Sequence, residues 1–211
     1  MIDWISIPLQ HLLTLCYELT GKLGYANYGV AIILITLMIK LVLYPLTVKQ
    51  VKSMKAMSEL QPKMKEIQTK FKENPEKMNK EMAMMYKESG VNPLSGCLPM
   101  LVQMPILMGI FFAIRDFTYE QTPSFLWLAN LSDADPTYVL PIVSAITTYF
   151  SQKQVTDTSN QQSKMMLMFM PLFIGYISIT FPAGLVLYWV VSNIFQIIQQ
   201  WFMYRGTGAK A

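Results

Sequence analysis

Hydrophobic positions in this chain come in long blocks separated by polar stretches. From Val30 to Leu46 nearly every residue is apolar, and the run ends in a basic segment opening with Lys49. A helix rises ~1.5 Å per residue, so about 20 such residues cross a ~30 Å hydrocarbon core. Further apolar blocks follow, and the pattern predicts an all-α polytopic membrane protein with five transmembrane helices, at 28–48, 94–115, 137–152, 165–181 and 184–203. The third is short: its apolar part, Tyr138–Phe150, reaches only ~20 Å.

Residues 1–27 have a different rhythm. Ile5, Leu9, Leu12, Leu13, Cys16 and Leu19 recur at helical spacing, with Asp3, Gln10 and Glu18 largely elsewhere. This predicts a short amphipathic helix lying on the extracytoplasmic membrane surface and ending at Gly21 or Gly24. No Lys or Arg precedes the run and Asp3 stands where positive charge is expected, which argues against a signal peptide.

The markedly hydrophilic part is 49–92. It holds ten Lys and six Glu, and Val51, Met54, Met57, Leu60, Met64, Ile67 and Phe71 step by three and four like a coiled-coil seam. Asn74-Pro75 interrupts the stripe, and Met78, Met82, Met85 and Tyr86 resume it. Two antiparallel helices are expected, a cytoplasmic hairpin in which Pro62 kinks the first helix or begins a new one. The hairpin is either a spacer packed on itself or a Met-lined docking arm.

Charge then orients the spans. With the hairpin, the 153–164 loop and the 204–211 tail on one side, fourteen Lys and Arg gather there, against Lys22 and Arg115 opposite. The positive-inside rule places the N-terminus outside, the C-terminus inside and the 116–136 loop outside, with Trp127 suited to an interfacial belt.

Composition narrows the chemistry. Of 211 residues, 53% are hydrophobic and 14% charged, and the mean hydropathy is +0.32, as in a membrane protein rather than a soluble domain. One His and two distant Cys, Cys16 and Cys97, leave little for metal sites or a disulfide framework. No span carries Asp or Glu, which weakens proton-coupled transport. Phosphate loops and GxSxG motifs are absent, and nothing pairs a Ser with Lys40 for hydrolysis. We expect no enzyme, no metal, no cofactor and no DNA partner.

Polar residues inside the spans are therefore the candidate site. Lys40 is the one Lys, Arg, Asp or Glu well inside a span, and Thr36, Lys40 and Tyr44 share a helical face. A Lys at a span centre costs roughly 2.5–3.5 kcal/mol on insertion scales. Lys40 either snorkels toward the cytoplasmic interface or lines a wet cavity. Gln103 sits in the second span. In the fifth, Tyr188, Ser192, Gln196 and Gln199 form a stripe, with Trp189, Asn193 and Gln200 beside it. These groups either glue helices together or line one shared groove.

The runs LYPLTVKQ at 43–50, VNPLSGCLPMLVQMPI at 91–106, FLWLANLSDADPTYVLPI at 125–142 and FPAGLVLYWVVSNIFQIIQQ at 181–200 resemble the YidC/Oxa/Alb family of membrane protein insertases. From about residue 26 the chain resembles that family's five-span core, without the large periplasmic domain some bacterial members carry. The resemblance implies a hydrophilic groove open to cytoplasm and lipid, with a positive residue on the first span at the position of Lys40, one turn after Thr36. It implies substrate contacts at Tyr188 and Trp189 on the last span and near Gln103 and Met104 on the second. A groove/substrate-binding set of Lys40, Thr36, Gln103, Tyr188, Trp189, Ser192, Asn193 and Gln196 follows. Nascent membrane proteins are the implied substrates, in a bacterial plasma membrane. The ribosome is a weak partner through the cytoplasmic loops, given the short tail, and a Sec translocon is a further candidate partner. The alternative functions are a channel or carrier for a small anionic solute, and a purely structural assembly chaperone.

Overall fold

The computed structural model describes residues 3–91, 98–154, 156 and 161–206. Expectations resting on Cys97, Lys210, most of the 153–164 loop or the side chains of Pro99 and Arg205 lie outside what is described. Among the described residues the regular structure is helical: α1 Asp3–Lys22, α2 Tyr28–Val42, α3 Tyr44–Lys70, α4 Pro75–Ser89, α5 Leu98–Arg115, α6 Val139–Lys153, α7 Gln161–Ser178 and α8 Ala183–Gly206.

Most of the α1 stripe packs inward. Leu13 and Cys16 are buried, and the helix rests on α2 and α5. Gly109 of α5 permits the approach, since a Cβ there would overlap Ile5 and Leu9. Gln10 Nε2 donates to the Ala113 carbonyl at 3.5 Å. The opposite face exposes Trp4, Ile7, Leu15 and Leu19, so α1 is apolar on both sides. The expected amphipathic helix is thus present, with one face packed on α2 and α5.

Asn27 caps α2: its Oδ1 accepts from Val30 N at 3.2 Å, and its Nδ2 donates to the Ser124 carbonyl at 3.0 Å. Such a cap contributes about 1 kcal/mol. The helix does not continue to 48 as expected. It stops at Val42, and α3 sets off from Tyr44 at 64°. Pro45 explains the break, because it has no N–H for a helical bond and disfavours helical geometry at the residue before it. The polar face drawn through Thr36, Lys40 and Tyr44 therefore ends at Lys40; Tyr44 is exposed on the far side of the bend.

Helices α3 and α4 pair as the expected hairpin. Val51, Leu60 and Met85 are buried, the other seam residues are half-buried, and Tyr86 Oη donates to Met64 Sδ at 3.5 Å. Pro62 lies inside α3 and starts no new helix. Asn74 Oδ1 caps α4 through Lys77 N at 3.0 Å, and Gly90, at φ 64°, closes it. The Met stripe thus faces the hairpin's own seam, leaving Met84 as an exposed Met there.

Around α8 the other helices assemble. It packs on α2, α5 and α6, while α7 lies along α6. Gly175 lets α7 come close to Ala145, and the Ser144 and Ser178 hydroxyls meet at 3.1 Å. The outer face of α7 exposes Met165, Met168, Phe169, Leu172, Phe173 and Tyr176, a continuous apolar surface of the kind lipid covers. Among the described residues no single helix is long and apolar enough to cross a membrane; the bent pair α2–α3 meets that criterion together.

Candidate polar groove

One end of the bundle is closed by the 116–138 loop. Tyr17 stacks on Tyr28 at 3.9 Å between centroids, and Tyr119 meets Tyr28 edge-on at 4.8 Å. Glu120 N donates to Tyr28 Oη at 3.2 Å. Leu128 and Leu131 tuck inward, while Trp127 stays half-exposed. The loop also satisfies the first amides of α8: Ala183 N donates to the Asp133 carbonyl at 2.7 Å and Gly184 N to the Leu131 carbonyl at 2.8 Å. Asp135 does the same for α6, accepting from Leu140 N at 2.8 Å and from Thr137 Oγ1 at 2.6 Å. Burial pushes the Asp135 carboxyl up, but these bonds outweigh it and hold it below the usual carboxylate range.

Beyond this plug lie the polar side chains of the core. Thr36 is fully buried, and its hydroxyl donates back to the Ile32 carbonyl at 2.7 Å, so it lines α2 without demanding a partner. Lys40 is 8% exposed, and among the described residues no carboxylate lies within ion-pair distance of it. On α5, Gln103 Nε2 donates to Tyr188 Oη of α8 at 2.8 Å, and Ser192 is buried one turn along α8 from Tyr188.

The fifth-span polar residues separate into two faces. Tyr188, Ser192 and Gln199 fall within about 40° of one another around α8, on the side that meets Gln103. Trp189 and Asn193 instead face α6. Trp189 Nε1 donates to Thr148 Oγ1 at 2.9 Å, and the Asn193 carboxamide lies 2.9 Å from Thr148 Oγ1 and 3.3 Å from Thr147 Oγ1. With its oxygen turned toward α6, Asn193 also accepts from Thr148 N at 3.3 Å. Gln196 is half-buried between the two faces. The structure therefore brings Gln103, Tyr188 and Ser192 together and joins Trp189 and Asn193 to α6 as helix–helix contacts. Thr147 and Thr148 were missed as partners; two adjacent hydroxyls inside the apolar run AITTYF were their only signal.

Between α5, α7 and α8 runs an apolar cleft lined by Leu107, Ile174, Ile177, Phe181, Leu185, Val186 and Trp189. A polar seam inside a helical bundle whose outer faces are apolar is the arrangement of a multi-pass membrane protein.

Comparison with known proteins makes the class particular. The model of the family described as 60Kd inner membrane protein matches residues 19–210. The chain is 44% identical over 201 residues to the membrane protein insertase YidC of Citrifermentans bemidjiense, covering 94% of this chain and 36% of that one. It is 44% identical to membrane protein insertase YidC 2 of Bacillus anthracis, covering 99% of this chain and 82% of the relative. With the YidC of Caldanaerobacter subterraneus the identity is 41%, over 96% of this chain and 95% of the relative. A crystal structure described as an active YidC insertase superposes with a TM-score of 0.75 at 29% identity, over 95% of this chain and 46% of that one. The chain thus spans between about a third and nearly all of the length of these relatives.

The chain belongs to the 60Kd inner membrane protein family, the YidC-type membrane protein insertases. It is a multi-pass protein of the bacterial inner membrane. These relatives lend no support to the channel or carrier alternative.

Proposed function

We propose that this insertase moves nascent transmembrane segments by lending their polar flanks a cationic groove inside the bilayer. The observation that carries the reading is Lys40, a nearly buried cation without a carboxylate among the described residues, on a helix packed against the Gln103–Tyr188–Ser192 cluster's helix. An unpaired buried charge is unfavourable, so the site is built to receive an anion. At an effective dielectric of ~20, an acidic group 4 Å away gains about 4 kcal/mol, far more than in water. Lys recognises it as a point charge rather than by a bidentate fork.

In this reading α2, α5, α6, α7 and α8 are the five spans, with the N-terminus outside and the C-terminus inside. The fourteen cationic residues on the hairpin side support that orientation. The plugged end then faces outward, so a flank enters from the cytoplasm and meets the barrier last. Helix α6, with 15 residues, is ~22 Å long, which thins the bilayer around the groove and shortens the flank's path. The apolar segment leaves sideways along the α5–α7–α8 cleft, driven by about 25 cal/mol per Å² of apolar surface removed from water. No nucleotide enters this scheme. The hairpin, its lysines outward, serves as the contact for a ribosome, and a Sec translocon is a second assembly partner.

The test is reconstitution in liposomes with a single-span substrate bearing an acidic external tail. Wild type and Lys40→Arg should insert it, whereas Lys40→Ala and Lys40→Glu should not. Equal insertion by all four would show that Lys40 merely snorkels, and an obligatory ATP requirement would overturn the partitioning mechanism.

A further inference from the structure

The polar face of α8 that meets Gln103 extends past Ser192. Gln199 lies eleven residues beyond Tyr188, three turns further on and within about 20° of the same direction. Its side chain is 7% exposed, and both Oε1 and Nε2 are buried without a hydrogen-bond partner. Gln200 and Gln154 have only Oε1 buried without a partner, so among the described residues Gln199 is the one side chain with both amide atoms buried and unpartnered.

A donor and an acceptor held side by side away from water are unfavourable until something completes both. The carboxamide itself says what would. Its N–H suits a carbonyl and its oxygen suits an N–H, the two groups a peptide unit offers. An anion would use the donor and leave Oε1 facing negative charge. A helical segment has no such pair free, because its N–H and C=O groups are bonded to each other. An extended segment does.

We infer that Gln199 is a backbone-binding station further along the same face of α8, taking an extended, non-helical flank of the incoming chain. This rests on the insertase function proposed above and divides its recognition in two. Lys40 responds to the flank's charge, and Gln199 to its peptide groups whatever the side chains are. In the present arrangement neighbouring side chains cover the amide, and the entering flank takes their place.

The experiment uses the full chain in liposomes with two synthetic single-span substrates whose external flanks are uncharged. One flank is Gly/Ser; the other is sarcosine, in which every backbone nitrogen is methylated and none can donate. Gln199→Leu should move the Gly/Ser flank about tenfold more slowly than wild type, the loss of roughly one good hydrogen bond. It should slow the sarcosine flank less, because those carbonyls still accept from Nε2 but no N–H meets Oε1. Its melting temperature should be unchanged or higher, because an unpaired amide has been exchanged for a similar apolar group. A lower melting temperature with both flanks slowed alike would show the amide to be structural, completed by water within the fold, and would overturn the inference. Equal rates for wild type and variant on the Gly/Ser flank would overturn it as well. Failure of the wild type on both substrates would instead bring down the insertase mechanism itself, and the station with it.

Discussion

The two polar faces of α8 carry similar residues and meet different fates. Trp189 and Asn193 find two hydroxyls on α6 within 3.3 Å. Tyr188 has Gln103, but the same face ends in an unsatisfied Gln199, and the neighbouring α2 carries a Lys40 with no carboxylate within ion-pair distance among the described residues. The first face is closed, and the second still has hydrogen-bonding capacity to offer. Polarity within a membrane helix therefore does not distinguish glue from groove. What distinguishes them is whether the facing helix supplies partners.

Reversing the charge on the open face should have the largest effect. Lys40→Glu replaces attraction by repulsion and should slow insertion of an acidic flank roughly a hundredfold or more, read as protected substrate in proteoliposomes, while Lys40→Arg stays close to wild type. If the two variants behave alike, the open face is not electrostatic. Breaking the closed face should act on stability instead. Thr148→Val leaves the Trp189 indole and the Asn193 amide without their shared partner and should cost about 1–3 kcal/mol, measured by thermal unfolding in detergent. Insertion per folded molecule should hold at the wild-type rate; a selective loss of insertion would erase the difference between the faces.

Smaller effects sharpen it. Tyr188→Phe removes the bond from Gln103 and should cost about 0.5–1.5 kcal/mol, showing as a several-fold slower insertion of polar flanks with little change in melting. The smallest lies in the plug, remote from both faces. The folded Asp135 carboxyl titrates below its unfolded value because Thr137 and Leu140 donate to it. Its contribution is complete above the unfolded carboxylate pKa of about 3.9 and is lost as pH falls through the lower folded one. Asp135→Asn should flatten the acid limb of a melting-temperature profile below about pH 4 and leave the neutral limb parallel. An unchanged acid limb would show that the loop's anchoring owes nothing to that charge.

Much of this molecule was legible as pattern. Helices α5, α6, α7 and α8 lie within a few residues of apolar blocks, whereas α2 ends six residues before its block does, and the three-and-four spacing from Val51 to Phe71 follows the hairpin seam. Lys40 stood out because a lone charge among apolar neighbours has no bland explanation except snorkelling. Signals of this kind are local: composition, period and caps act over one or two turns, and they are written in the chain itself.

What lay beyond reach depended on elements distant in sequence. The 64° break at Leu43 is the exception, marked locally by Pro45 within a run whose hydropathy did not change. The α1 stripe could not say whether its neighbour was lipid or Gly109. The adjacent Tyr188 and Trp189 differ by one position, hence by ~100° around the helix, and that angle sends one toward Gln103 and the other toward Thr148. Which side chains need a partner among apolar neighbours can be read from the chain alone. Which of them find one depends on packing, because a hydrogen bond within ~3 Å requires two helices at a particular depth and rotation, and neither helix specifies that alone.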